Sequence, residues 1–283
     1  MLMKIKILAD SSCDLSKELV ERYDIGIMPL SVTIGGESKL DGTELKPDEI
    51  YAHVEAGGNL PSTAAINPAQ YTELFEQYTS CYDAVIHVNI GSGFSSCHQN
   101  AKLAAAEFEN VYAVDSCSLS TGQGMIVLEA AELAEAGLEA AEILEKLQNL
   151  ISRVRISFVL NQLEYMKKGG RCSTVAALGA NLLKLKPCIA VNDGKLGVTK
   201  KYRGSMEKCL RDYVAEQLNG NDKVDPERVF ITHSGIPAGI PELVEAEVAK
   251  YATFANVEHT RAGCTVSSHC GPETLGIIFV EKE

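Results

Sequence analysis

Residues 84–90 have the sequence AVIHVNI, and the loop GSGFSS follows directly at residues 91–96. An apolar run of this length is typical of a parallel strand that is buried on both faces. The two glycines of the loop let the backbone approach a ligand closely, and Ser95 and Ser96 lie at the predicted start of a helix. Because open α/β sheets bind ligands beyond the carboxyl ends of their strands, this loop is predicted to lie at a binding site.

The order of strand, polar loop and helix occurs at least twice more. Residues 4–10 predict a strand, and Asp14 is the expected N-cap of a helix over residues 15–23. Residues 111–115 predict another strand, which leads through a polar loop into a helix that ends near residue 135. This recurrence indicates an α/β domain with a parallel sheet.

The same half of the chain carries four further predictions. Residues 27–34 predict a second strand, and a short helix is expected after Pro47. Ser96 and Gln99 have the spacing of a capping box. Residues 138–154 predict an amphipathic helix. Its expected apolar face consists of Ala140, Leu144, Leu147, Ile151 and Val154.

The pattern changes after residue 155. The predicted elements are a strand at 156–160, a helix at 163–168, an apolar run at 182–185 before Pro187, a hairpin over 189–198 with the turn Asn192-Asp193-Gly194, helices at 205–218 and 241–251, and strands at 229–233, 257–262 and 274–280. Hairpins mixed with helices predict an α+β domain with a mixed or antiparallel sheet. We therefore expect two domains: an α/β domain over residues 1–153, and an α+β domain over residues 154–283.

Composition narrows the function. The chain has 283 residues, of which 46% are hydrophobic, and a net charge of −12. A basic footprint is missing, so nucleic-acid binding is not expected, and no apolar run is long enough to predict membrane insertion. The nine cysteines form no C-x-x-C pair, so we expect reduced thiols, a cytoplasmic location and no metal site.

Three stretches that are far apart in the chain carry groups suited to an anion. They are Pro61-Ser62-Thr63, the loop 91–96 and Ser268-His269-Cys270-Gly271-Pro272. Hydroxyls, an imidazole N–H and the backbone N–H groups of a helix start suit a carboxylate or a phosphate. Each stretch also has an ordinary interpretation: a serine that only caps a helix, a loop hydroxyl bonded to nearby backbone, and a structural histidine.

Nucleotide binding and hydrolase chemistry are poorly supported. The loop 91–96 matches neither a Walker loop nor the G-x-G-x-x-G fingerprint. The second glycine of a G-x-S-x-G elbow is missing around Ser95. An acyl- or phospho-transfer enzyme that uses Ser95 or Ser96 with His269 stays as the alternative, and it requires an acid within reach of the histidine.

A small basic turn, Lys167-Lys168-Gly169-Gly170-Arg171, stands out in this acidic chain. Its ordinary interpretation is the end of a helix, where cations and a glycine cap are favourable. The alternative is a docking point for an acidic or phosphorylated partner. The residues alone favour the helix end.

Taken together, these motifs resemble those of the DegV family, the fatty-acid-binding proteins that include the lipid-carrying subunit of bacterial fatty acid kinase. The resemblance covers nearly the whole chain. It rests on Ile7-Leu8-Ala9-Asp10-Ser11-Ser12, Pro61-Ser62-Thr63, Gly93-Phe94-Ser95, Lys168-Gly169-Gly170-Arg171, Leu185-Lys186-Pro187, Asp193-Gly194-Lys195 and His269-Cys270-Gly271-Pro272.

The resemblance implies a long-chain fatty acid bound between two domains, with its acyl tail in an apolar tunnel. It implies that Thr63, Ser95 and His269 hold the carboxylate, and we expect additional head-group contacts from Ser62 and Ser96. The ligand is then a fatty acid, with no cofactor and no catalysis by this chain itself.

The resemblance also implies a partner, a separate ATP-using kinase subunit that converts the bound acid to an acyl phosphate. The position that matches Arg171 is linked with that contact.

The chain departs from the family pattern at Ala64-Ala65-Ile66, where serine, glutamine and proline are usual, and at Ser96-Cys97-His98, where the family has Gly-Thr-Tyr. Glu273 replaces a usual glycine.

Overall fold

The structure is a computed structural model that describes residues 3–176 and 185–283. The strands are β1 (Ile5–Asp10), β2 (Gly26–Met28), β3 (Ser31–Ile34), β4 (Glu37–Leu40), β5 (Ser62–Ala64), β6 (Ala84–Asn89), β7 (Val111–Asp115), β8 (Val154–Val159), β9 (Leu185–Asn192), β10 (Lys195–Arg203), β11 (Val224–His233), β12 (Asn256–Arg261) and β13 (Leu275–Glu281). Most of the apolar run predicted at 182–185 lies outside the described residues.

Helices connect these strands. They are α1 (Lys17–Arg22), α2 (Pro47–Glu55), α3 (Pro68–Thr79), α4 (Cys97–Ala105), α5 (Ser120–Glu135), α6 (Ala140–Arg153), α7 (Glu164–Gly169), α8 (Ser173–Ala176), α9 (Met206–Leu218), α10 (Ile240–Val248) and α11 (Cys264–Cys270). A 3₁₀ turn, Ser11–Cys13, follows β1.

A parallel four-stranded sheet forms the first layer, in the order β2-β1-β6-β7. All six residues of β6 are buried, as its apolar sequence predicts. The carboxyl ends of β1, β6 and β7 lie at the same edge of this sheet because the three strands run in parallel. The loop 91–96 therefore begins at the edge where open α/β sheets bind ligands.

A six-stranded sheet forms the second layer, in the order β10-β9-β8-β13-β11-β12. It is antiparallel except for the β11–β12 pair. The predicted hairpin joins β9 to β10 through Asp193 and Gly194, which both have positive φ, as a primed turn requires. The fold class is thus confirmed: a parallel α/β sheet and a separate mixed sheet. The proposed domain division falls between α6, which ends at Arg153, and β8, which begins at Val154. It remains a proposal.

A small antiparallel sheet, β4-β3-β5, carries Thr63. The short helix α11 packs against this sheet and against α2 and α7. The N-terminus of α11 is held by two buried carboxylates. Asp14 accepts a hydrogen bond from the backbone N–H of Gly263 at 2.7 Å, and Asp41 accepts from those of Cys264 at 2.7 Å and Thr265 at 3.0 Å. These bonds satisfy the free N–H groups at the start of the helix.

Four local predictions are wrong. The strand predicted at 27–34 is two strands in two sheets, because Pro29 between them lacks an N–H for a ladder. Asp14 does not cap α1: it has a φ of 51° and binds α11, while Ser16 accepts from the Leu19 N–H at 3.3 Å. The capping box is absent, since the Ser96 side chain makes no capping hydrogen bond.

The fourth error concerns the apolar face of α6. The predicted residues Leu144 and Ile151 are only partly buried, whereas Ile143 and Leu150 are buried beside Ala140 and Leu147. The elements β4, α3, α8 and α11 were also missed. The sequence of α11, CTVSSHC, has small and β-branched residues that favour a helix only weakly, so its capping by distant carboxylates decides the conformation.

We predict that Asp41→Ala destabilises the protein by about 1–3 kcal/mol, because it leaves two buried N–H groups and the Ser11 hydroxyl without their acceptor. Urea unfolding followed by circular dichroism measures the loss. Glu21→Ala is the matched control, since it removes only an exposed ion pair with Lys17 and is expected to change stability by less than about 0.5 kcal/mol. Equal stabilities of the two variants would contradict the capping role of Asp41.

Candidate ligand-binding site

A cavity of about 250 Å³ lies where the carboxyl edge of the parallel sheet meets the six-stranded sheet. Its walls come from both layers and from α11. Most of the side chains that line it are apolar, among them Leu30, Ile90, Leu119, Ile156, Phe158 and Ile278. Such a space suits a hydrocarbon group, because burial of apolar surface is the main source of affinity for such ligands.

The cross-strand register explains the floor of the cavity. Ile156 of β8 lies opposite Ile278 of β13, and Phe158 lies opposite Gly276. Residues two apart on a strand point to the same face, so β8 and β13 present these residues together. A period-two reading of the two predicted strands could have identified them as one apolar face.

Thr63 and His269 meet although 206 residues separate them. The Thr63 Oγ1 and the His269 Nε2 lie 2.8 Å apart, which is hydrogen-bonding distance, and the tautomer of the ring decides which atom donates. Both residues line the cavity. The other ring nitrogen, Nδ1, is buried and has no hydrogen-bond partner among the described residues. It faces Gly169, where an added Cβ would lie only 2.3 Å away.

His269 is held in its neutral form. Burial, and secondarily the positive charge of Arg171, lowers the pKa of His269 from 6.5 to about 4. A neutral imidazole can act as either the donor or the acceptor in a hydrogen bond with the neighbouring hydroxyl. A ligand carboxylate beside it would favour the protonated form and raise this pKa.

Ser95 and Ser96 also line the cavity. The Ser95 hydroxyl donates to the Cys97 sulfur at 3.1 Å and accepts from the Cys97 backbone N–H at 3.3 Å. The Ser96 side chain, which is exposed, does not cap α4. The hydroxyl of Ser96 is therefore available to a ligand, whereas that of Ser95 must turn away from Cys97 to donate to one.

Arg171 lies at the rim of the same cavity and is exposed. Its guanidinium donates to the Gly169 carbonyl at 2.6 Å and to the Phe94 carbonyl at 3.4 Å. It thereby joins the end of α7 to the loop 91–96. The basic turn is also a helix end, as its ordinary interpretation predicts, because Gly170 terminates α7 with a φ of 70°.

The structure thus brings five of the six predicted site residues around one cavity. Ser62 is the exception. Its exposed side chain lies on β5 next to Thr63 in sequence and is not part of the cavity wall.

The contacts of His269 do not include the acid that a Ser/His catalyst requires. In the described parts of the chain, its hydrogen-bond partner is Thr63, and no carboxylate bonds to its free Nδ1. Within the same residues, no cluster of three or more histidine, cysteine, aspartate or glutamate side chains is arranged to hold a metal. None of the helices over residues 3–176 and 185–283 has both the length and the apolar character needed to cross a bilayer.

The fold and the cavity define the class of protein: an α/β chain that encloses an apolar space between two sheets. Residues 4–282 match the profile of the family described as "Uncharacterised protein, DegV family". A DegV domain-containing protein of Clostridium perfringens is 32% identical over 283 residues, which cover 99% of each chain. The chain therefore belongs to the DegV family.

Solved structures agree with this assignment. A fatty-acid-binding DegV family protein from Thermus thermophilus superposes with a TM-score of 0.91 at 28% identity, over 99% of this chain and 100% of that one. A DegV lipid-binding protein from Thermotoga maritima gives a TM-score of 0.87 at 29% identity, again over 99% of this chain and 100% of the other. DegV from Bacillus subtilis, also a fatty acid binding protein, gives 0.80 at 27% identity, with 99% and 100% covered.

We predict a specific pH dependence from the low pKa of His269. Between pH 6.5 and pH 4 the unfolded chain takes up a proton at this residue and the native chain does not, so stability is lost as the pH falls. The loss is at most about 3 kcal/mol, because partial exposure of the ring weakens the effect. His269→Gln lacks this contribution, so urea unfolding at pH 7 and pH 4.5 should show a steeper decline for the wild type. The same decline in both proteins would contradict the assignment.

Proposed function

We propose that this protein binds a long-chain fatty acid in the cavity and presents its carboxylate to an ATP-dependent kinase subunit, which forms the acyl phosphate. The observation that carries the proposal is the composition of the cavity: apolar walls, with Thr63, His269, Ser95, Ser96 and Arg171 in the same lining. Fatty acid binding by relatives of the same fold supports it.

The polar residues are connected to one another, which supports a single head-group site. Thr63 contacts His269, the charge of Arg171 acts on His269, and Arg171 reaches the carbonyl of Phe94, the residue before Ser95. In the proposed complex the His269 Nε2–H donates to the Thr63 oxygen, and the Thr63 hydroxyl donates to the carboxylate. A serine hydroxyl completes the site.

Tail and head group have different roles in this proposal. Each buried CH₂ group contributes roughly 0.8 kcal/mol, so a tail of about a dozen or more carbons provides most of the affinity before ordering costs. The hydrogen bonds to the carboxylate fix its direction. They place the reacting oxygen near the exposed Arg171, at the rim, where a second protein can reach it.

The transfer of phosphate belongs to the partner in this proposal. Ser95 bonds to Cys97 instead of His269, so the contacts do not favour the alternative of a Ser/His transfer enzyme. The proposed setting is the cytoplasm, where ATP is available to the kinase and thiols stay reduced; in the described chain all nine cysteines are unpaired and seven are buried.

Removal of two side-chain hydroxyls that are proposed to bind the head group tests the binding site. We predict that Thr63→Ala combined with Ser95→Ala weakens the binding of palmitate or oleate by about 10- to 100-fold, since hydrogen bonds to a charged group are lost. Native mass spectrometry of the purified protein with added fatty acid measures uptake. Ser62→Ala is the matched control and should bind like the wild type, because Ser62 is outside the cavity wall. A wild-type protein that takes up neither acid would refute the proposed function.

Arg171 tests the partner. We predict that Arg171→Ala keeps the fatty acid affinity within about threefold of the wild type and slows phosphorylation of the bound acid at least about tenfold, because an interfacial arginine contributes strongly to docking. Transfer from labelled ATP, with the fatty acid kinase subunit of the organism that encodes this chain, measures the rate. Arg22→Ala removes an exposed cation that is not part of the cavity lining and should leave the rate unchanged. Equal rates for the two variants would contradict the docking role.

A further inference from the structure

One part of the cavity wall is polar although it belongs to the sheet that forms the apolar floor. Thr232 of β11 lines the cavity and is buried. It lies opposite Gly276 of β13, and Gly276 in turn lies opposite Phe158. Gly276 carries no side chain, and a Cβ there would lie 2.3 Å from the Ser157 carbonyl oxygen, so no larger residue fits at this position. Thr232 and Phe158, on either side of Gly276, both line the cavity.

The Thr232 hydroxyl is the centre of a chain of three hydroxyl groups. Its Oγ1 lies 2.6 Å from that of Thr121 on α5 and 2.8 Å from that of Thr260 on β12. Three hydroxyls supply three protons, and the two contacts use two of them. Over the described residues, the three side chains make no other hydrogen bond to the protein. The chain therefore has one proton more than its contacts require.

Thr232, the member of the chain that lines the cavity, has one hydrogen-bonding position unused in either arrangement of the protons. If Thr121 and Thr260 both donate to Thr232, the Thr232 proton is free for an oxygen in the cavity. If Thr232 donates to one neighbour and accepts from the other, one of its lone pairs is free instead. A hydroxyl group satisfies either arrangement, because it both donates and accepts. A methylene group satisfies neither.

A second polar group in the wall lacks a partner. The Thr265 Oγ1 is buried and makes no hydrogen bond in the described chain, and Thr265 lines the cavity. It lies four residues before His269 on α11, on the same helix face. A buried hydroxyl without a hydrogen-bond partner is unfavourable. A plain hydrocarbon tail in the cavity cannot supply a partner to Thr265.

We propose that the cavity selects fatty acids with a hydroxyl group on the acyl chain, and that Thr232 is the residue that recognises this group. The proposal rests on the fatty acid binding proposed above and names the class of acid within it. Thr232 contacts the substituent, while Thr121 and Thr260 orient the Thr232 hydroxyl from behind.

The test compares octadecanoic acid with its 3-, 10- and 12-hydroxy derivatives in the full-length protein, with isothermal titration or native mass spectrometry as the measurement. The quantity of interest is the affinity for the best hydroxy acid divided by the affinity for octadecanoic acid. We expect Thr232→Val to lower this ratio at least about fivefold, because the buried ligand hydroxyl loses its partner. Thr232→Ser should restore it.

Thr199→Val is the matched control. It makes the same substitution on β10 of the same sheet, at a residue that is not part of the cavity wall, and should change the ratio less than about twofold. Binding of octadecanoic acid by each variant reports that its cavity is intact. If Thr232→Val does not fold, the wild-type ratio decides: a value above one supports the proposal, and a value of one or less overturns it.

A change in the ratio of less than about fivefold for a folded Thr232→Val protein also overturns the proposal, since the hydroxyl group is then not recognised at this residue. In that case octadecanoic acid still binds, and the proposed function stands. If none of the four acids binds to the wild type, the proposed function itself fails. The two failures are therefore distinguishable.

Discussion

The contact between the Thr63 hydroxyl and the His269 imidazole is the constraint on which the proposed site depends. It joins a strand of the small sheet to the end of α11 across 206 residues. Burial keeps the ring neutral by lowering the pKa of His269 to about 4. Gly169 behind the ring leaves room for Nδ1 and for no side chain. Two buried carboxylates, at Asp14 and Asp41, fix the other end of the same helix.

In the function that we propose, this arrangement holds a ligand and leaves its reaction to a second protein. In the proposed complex, the apolar side chains between the two sheets exclude water from a hydrocarbon tail, and the uncharged hydroxyl and imidazole groups orient the carboxylate. Arg171, whose positive charge acts on His269, is exposed at the rim. A carboxylate held there, as we propose, is accessible to a partner kinase.

The sequence predicted the layers of the fold because their patterns are local. The apolar run of β6, the turn at Asp193 and Gly194, and the glycine end of α7 each determine their own conformation. The errors are non-local. Asp14 has the right residue type and position for a cap of α1, yet it binds the N–H of Gly263, which lies 249 residues away, and no pattern near Asp14 shows that partner.

The candidate site shows the same contrast between local motifs, which the sequence reveals, and non-local contacts, which it does not. The hydroxyls and the histidine were found from their motifs, but their meeting depends on the placement of α11, whose own sequence favours a helix weakly. Thr232 and Gly276 were missed, because an isolated threonine or glycine in a strand has no signal until the register places the two side by side.

The most direct test of the central claim is a crystal structure of the protein with bound palmitate. We predict carboxylate oxygens within about 3 Å of the Thr63 hydroxyl, with the tail over Ile156 and Ile278. A carboxylate at the opposite end of the cavity, or a fatty acid bound elsewhere on the protein, would contradict this account.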